Sequence, residues 1–227
     1  MVEKSQLQAN QLKIWEKRAE CYCTREDACA IALVISGVIL FPGAGTNANH
    51  QSLVAIETSI KQSQPHVNVR RVDFAYRLVG KSFPDRAPVL IKTVQSAVLD
   101  AARDWGCATN QIVIGGRSMG GRMCSMAITD TAQKLDVAAL VCICYPLHPP
   151  KQPEKLRTEH LPRINVRTLF ISGTRDEFGT VEELKTATAT IGSAVTHKWI
   201  EGARHDLKNR DAEVAELVAN WIMSPRS

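Results

Sequence analysis

Gln111 to Thr129 reads QIVIGGRSMGGRMCSMAIT, a short β-branched run, a glycine-flanked serine and then a stretch with helical character. Gly116, Ser118 and Gly120 fit G-x-S-x-G, in which a nucleophilic serine sits on a sharp turn between a strand and a helix. A turn that tight strains the backbone at the serine and brings strand and helix so close that side chains two residues to either side would clash. Three fixed small residues arise by chance in roughly one chain in ten of this length, so the pentapeptide alone decides little. Its surroundings decide more. Ile112, Val113 and Ile114 supply a strand before the serine, and Met119 to Thr129 supply a helix after it.

Outward from this stretch the chain alternates strand and helix. Ala30 to Phe41, AIALVISGVILF, is a nearly continuous apolar run of the kind found in a strand buried on both faces, and it ends in the turn Pro42-Gly43-Ala44-Gly45. A helix is predicted from about Gln51 to Lys61, a strand over Val67 to Tyr76, and a helix from Pro88 to Trp105 closed by Gly106. Val137 to Tyr145 reads as another buried strand leading into the proline-rich loop PLHPPKQPEK. Val166 to Ser172 is the next strand. A helix beginning at Thr180 or Val181, a strand over Val195 to Ile200 and a helix over Asp211 to Met223 complete the series. Parallel neighbours need crossover connections, and helices then cover both faces of the sheet. The expected fold is therefore α/β, a three-layer sandwich with a mostly parallel central sheet, over residues 30–227. Residues 1–29 form an N-terminal extension in which Leu7, Leu12, Ile14 and Trp15 are compatible with a loosely amphipathic helix.

At 227 residues and 44% hydrophobic content the chain suits one domain. A net charge of +5 is mild, and the basic residues are scattered without interleaved aromatics, so nucleic-acid binding is not expected. The first twenty residues lack an apolar core of the secretory type, and the longest apolar run, Ala28 to Pro42, is too short and too β-rich for a membrane span. The 7 cysteines form neither an even set nor a C-x-x-C pair, which fits a reducing compartment, and a cytoplasmic location is expected. Cys142 and Cys144 read as small core residues of a strand, and Cys21, Cys23 and Cys29 as structural or incidental. No cofactor or metal is implied, and the oligomeric state stays open.

In a parallel sheet reactive groups gather at the carboxyl ends of the strands. A serine nucleophile needs a base to take its proton and an acid to hold that base. Asp176 lies just past the strand VRTLFIS, and His205 just past VTHKWI. The expected catalytic set is Ser118, Asp176 and His205, with Glu177 as the alternative acid. An oxyanion needs donors set in place beforehand. The backbone N–H of Met119 is one, and the N–H of Ala44, with Gly45 as its alternative, is the other. His197, inside a strand, reads as packed or surface-exposed. His50 and His148 either line the pocket or lie on the surface. Arg117 and Arg122 flank the serine, where they grip an anionic substrate or pair with acids, the structural role being preferred.

GGRSMGGR, CYPLHPPKQPEKLRTEHL, ISGTRDEFGT and EGARHDLK, in that order, resemble the dienelactone-hydrolase-like branch of the α/β-hydrolase superfamily. More narrowly they resemble an uncharacterised bacterial subgroup related to the animal testis-expressed and chromatin-complex hydrolase-like proteins. The resemblance covers about residues 30–225, most specifically Tyr145 to Leu161. It implies an α/β-hydrolase fold with the triad on Ser118, Asp176 and His205. Relatives usually carry His-Gly where this chain has Pro42-Gly43, and dienelactone hydrolase proper uses a cysteine nucleophile in place of serine. Two functions follow as expectations. One is a serine hydrolase of small esters, thioesters or related acyl compounds, or an acyltransferase using the same triad. The other is a catalytically silent interaction module.

Overall fold

The computed structural model describes residues 35–224. The expected extension over residues 1–29 and the first residues of the strand expected from Ala30 lie outside them. Six strands run through the described residues: β1 (Gly37–Phe41), β2 (Asn68–Arg71), β3 (Ile112–Arg117), β4 (Ala139–Ile143), β5 (Thr168–Gly173) and β6 (Val195–Ile200). They pair in the order β2-β1-β3-β4-β5-β6, each pair parallel. The helices are α1 (Gln51–Ser63), the single turn α2 (Ala75–Leu78), α3 (Ala87–Trp105), α4 (Met119–Ile128), α5 (Val181–Thr188) and α6 (Asp211–Met223).

The unbroken apolar runs are explained by two cores. Ile39, Phe41, Ile112, Ile114, Leu140, Cys142 and Phe170 face one side of the sheet, where α3, α4 and α5 pack. Val38, Leu40, Val113, Val141, Ile143, Leu169 and Ile171 face the other, covered by α1 and α6. Successive residues of a strand point to opposite faces, so a strand with a core on each side has no polar face to alternate with. The result is the three-layer sandwich expected from the sequence.

Helix ends follow local chemistry. Gly106 closes α3 at φ 62°, in the left-handed region that glycine enters most cheaply. Thr180 caps α5 by accepting from the Glu183 N–H, while the Glu183 carboxylate accepts from the Thr180 N–H.

One element departs from expectation. The strand read over Val67 to Tyr76 ends at Arg71, and Tyr76 lies in α2. Val72 N–H donates to Leu40 O, and the chain then turns at Asp73, whose carboxylate accepts from the Ala48 N–H at 2.7 Å. Phe74 and Tyr76 are both buried in the same core. Two residues apart, they mimic strand periodicity while one helical turn carries them.

The strand order places the site. β2 and β3 flank β1, so the connections after β1 and β3 leave toward opposite faces, to α1 and α4, and open a crevice at the carboxyl ends between them. The glycine-rich turn and the serine turn are the two walls of that crevice.

Candidate active site

Ser118 sits between β3 and α4 at φ 48° and ψ −115°, a strained conformation for a residue with a side chain. Its N–H donates to the Ile143 carbonyl of β4 at 2.7 Å. Close packing enforces the glycines around it. A Cβ on Gly116 or on Gly120 would run into the Phe41 carbonyl oxygen, and one on Gly121 would lie 2.7 Å from Gly116 O and 3.2 Å from Cys142 Cα.

His205 Nε2 lies 2.9 Å from Ser118 Oγ, and His205 Nδ1 lies 2.9 Å and 3.0 Å from the two carboxylate oxygens of Asp176. The Asp176 side chain is 1% exposed and that of His205 14%. The structure thus brings together the three residues that the sequence singled out from separate strand ends. Glu177 faces elsewhere. Its carboxylate accepts from the His205 backbone N–H at 3.3 Å and pairs with Arg204 at 3.5 Å, so it braces the loop without reaching the imidazole.

On the β1 side, Gly43 lies against the serine, and a Cβ there would stand 3.6 Å from Ser118 Cβ. The Met119 and Ala44 N–H groups donate no hydrogen bond to the described residues. The Ala44 carbonyl accepts from Tyr76 Oη at 2.7 Å, which fixes the orientation of the turn. His50 caps α1 by accepting at Nδ1 from the Ser52 N–H at 3.3 Å, and the same nitrogen lies 2.8 Å from Ser52 Oγ. Burial, and after it the Arg117 charge, lower its basicity. His197 stacks between Phe170 and Trp199 and contacts Thr188 Oγ1 at 2.9 Å, a packing role. His148 is buried beside Glu183.

Four neighbours of the site make contacts there that the sequence did not foretell. The Phe178 ring lies 4.0 Å from that of His205, centroid to centroid, and its N–H donates to Asp176 Oδ1 at 2.9 Å. Tyr76 was hidden by the strand reading. Cys144 is buried as expected but stands one residue past β4 at φ 50°, and its Sγ lies within 4.8 Å of the donor atoms of Asp176 and His205. Burial, and then the Asp176 charge, push this thiol far above its usual range, so it stays neutral. Both ring nitrogens of His205 are engaged by Asp176 and Ser118, so the donor atoms of this trio face one another.

Arg117 is the fourth. It is 6% exposed, its Nη2 donates to the His205 carbonyl at 3.0 Å, and its Nη1 has no hydrogen-bond partner. The acid pairing preferred for Arg117 and Arg122 is not what the structure has. Among the described residues neither is paired with a carboxylate. No sequence pattern betrays that absence.

No helix among the described residues is long and apolar enough to cross a membrane. Similar solved structures include an alpha-beta serine hydrolase homologue from Coxiella burnetii, 19% identical with a TM-score of 0.63 over 83% of this chain and 85% of that one. Est1E from Butyrivibrio proteoclasticus is 14% identical with a TM-score of 0.64, over 86% and 90%. A dienelactone hydrolase from Anabaena variabilis is 18% identical with a TM-score of 0.64, over 85% and 88%. At these identities the likeness is one of fold. The alpha/beta hydrolase domain model matches residues 35–224, the whole of the described chain, and the protein belongs to that family.

Proposed function

We propose that the protein is a serine hydrolase acting through an acyl-enzyme on a small ester, thioester or related acyl substrate. One observation carries it: a single imidazole spans a buried carboxylate and a strained serine hydroxyl, with contacts of 2.9 Å at both ring nitrogens. Asp176 holds the His205 tautomer that keeps its proton on Nδ1, leaving Nε2 free to accept. As Ser118 Oγ attacks the acyl carbon, its proton passes to His205 Nε2 and the carbonyl electrons move onto oxygen. The N–H groups of Met119 and Ala44 stabilise that oxyanion, each donor being worth about 3 kcal/mol. Collapse expels the alcohol or thiol, which takes the proton from Nε2. Water then gives a proton to Nε2 and attacks the acyl carbon, and Ser118 leaves with the proton restored. If an alcohol or amine replaces water, the same site is an acyltransferase.

A second reading comes from the block Tyr145 to Leu161, which suggests kinship with the animal testis-expressed and chromatin-complex hydrolase-like proteins and hence an interaction module without turnover. The unbroken chain from Asp176 to Ser118 favours the enzyme. A cytoplasmic setting belongs to the same proposal, and the free thiols of Cys107, Cys124, Cys142 and Cys144 accord with it.

The test treats wild type and Ser118→Ala with a fluorophosphonate probe, then assays 4-nitrophenyl esters of rising acyl length. Wild type labels and turns over esters, and the alanine variant does neither. A folded wild type that does neither leaves the module.

A further inference from the structure

We propose that Cys144, Asp176 and His205 form a site for a thiophilic divalent cation such as Zn²⁺, and that the ion silences Ser118 by taking the imidazole nitrogen that faces Asp176. The binding stands on the geometry, while the silencing rests on the hydrolase reading.

The three side chains come from three strand ends. Cys144 stands one residue past β4, Asp176 follows β5 and His205 follows β6. One donor atom from each, a thiol, a carboxylate oxygen and a ring nitrogen, lie within 4.8 Å of one another, and no other such trio forms among the described residues. Asp176 meets His205 through Nδ1, at 2.9 Å and 3.0 Å, whereas Nε2 is turned to Ser118, so Nδ1 is the nitrogen this set offers. Buried His160, by contrast, contacts the Ser125 hydroxyl through Nε2 at 2.8 Å.

The thiol is placed by its backbone. Cys144 adopts φ 50°, which a residue with a side chain enters at a cost, and its N–H donates to Ile171 O at 2.7 Å. The residue is fully buried, as is the Asp176 side chain at 1% exposure, and the imidazole at 14% is the accessible edge of the set.

Sulfur, imidazole nitrogen and carboxylate oxygen are the three donor types that zinc takes. Its bonds of about 2.0 to 2.3 Å put neighbouring donors of a tetrahedral site about 3.3 to 3.8 Å apart. To reach that shape the nitrogen and oxygen separate by roughly half an ångström and the sulfur closes by at most about 1 Å. Three protein ligands leave the fourth position to water. On binding, the thiol gives its proton to solvent and no electrons change hands. The dication then faces one thiolate and one carboxylate, a neutral set that can stay buried. The Arg117 charge acts on this thiol, favouring the thiolate while opposing the ion. Soft ions suit such a set, whereas Mg²⁺ and Ca²⁺ prefer oxygen ligands throughout.

The cost to the reaction follows from the tautomer. A metal on Nδ1 uses the lone pair of that nitrogen, so the single proton of the neutral imidazole moves to Nε2. Nε2 then presents a donor to Ser118 Oγ and can no longer accept the serine proton.

The test adds Zn²⁺ to the full chain and follows hydrolysis of a 4-nitrophenyl ester. In parallel, Co²⁺ is added and the thiolate-to-cobalt charge-transfer band in the near ultraviolet is recorded. Wild type is expected to lose activity as Zn²⁺ rises and to regain it with EDTA, while Mg²⁺ at the same concentrations does nothing. Cys144→Ser keeps the size of the side chain without a good zinc ligand, and Cys144→Ala removes the donor. In both, the inhibition midpoint, taken against each variant's own metal-free rate, rises by at least about tenfold, and the cobalt band loses the share of one thiolate. An active wild type that Zn²⁺ leaves untouched, equal midpoints in all three proteins, or a band that the variants do not weaken overturns the inference. A wild type without esterase activity overturns the hydrolase reading, and the cobalt band then decides the metal site by itself.

Discussion

Arg117 Nη2 donates to the carbonyl oxygen of His205 at 3.0 Å, fastening the residue before Ser118 to a loop 88 positions away. A buried guanidinium with one nitrogen unpaired is costly, and this contact shows what the cation holds: the backbone that aims the imidazole. We treat Arg117 as a positioning residue. Arg117→Met is expected to lower kcat by about 10- to 100-fold, the scale of a small misplacement of a reacting group, with KM changed far less. Arg117→Lys, which can still reach a carbonyl, recovers part of the loss, which steady-state kinetics of the two variants on one ester will show.

The turn proposed to hold the oxyanion has its own fastening in Tyr76. Tyr76→Phe removes the 2.7 Å hydrogen bond to Ala44 O while leaving the ring in its place near Phe74, 6.4 Å centroid to centroid. Loss of one such bond costs roughly 1 kcal/mol of stability. The turn then loses its fixed orientation, and kcat is expected to fall about tenfold with KM nearly unchanged.

Asp176 and Glu177 are neighbours with different tasks. Asp176→Asn keeps the shape but favours the wrong imidazole tautomer, and kcat should drop by about 10⁴-fold. Glu177→Gln touches only a backbone N–H and a solvent-facing arginine and should stay within about fivefold of wild type. A reversed order of these effects, measured on the same ester, would move the acid to Glu177.

His160 sets an acid limb of stability. Burial, then Arg122 and Arg163, hold it at about 4 in the folded chain against 6.5 as its ordinary value. Its folded pKa is depressed, so between these values the unfolded chain binds more protons, and stability falls as pH drops from 6.5 toward 4. The loss between pH 7.5 and pH 5 should be about 2 kcal/mol. His160→Gln keeps a polar partner for Ser125 and should flatten that part of the profile, whatever its stability at pH 7.5. Urea midpoints at the two pH values measure it.

The architecture and the meeting of Ser118, Asp176 and His205 were legible because they depend on short patterns. Apolar runs without alternation mark strands with a core on each face, and Asp176 and His205 stand just past two of them. The end of β2 was not legible, because Phe74 and Tyr76 reach one core from a helical turn with a strand's spacing. The supporting residues were not legible either. The bond from Arg117 to His205 and the contact of Phe178 with the imidazole depend on how separate loops approach each other. No local pattern encodes whether an arginine has found an acid.

The Phe41 carbonyl oxygen blocks a side chain at Gly116 and also at Gly120. The two outer glycines of the motif therefore share one obstacle on β1, and each has another of its own, Gly120 C at 2.9 Å for Gly116 and Pro42 O at 2.7 Å for Gly120. A shift of that peptide to admit alanine at one position gives room at the other, so Gly116→Ala and Gly120→Ala should combine at less than the sum of their separate costs. For chain diversification the second substitution then meets only the obstacle that is its own, so a lineage that gives up one of these glycines faces a lower barrier to giving up the other.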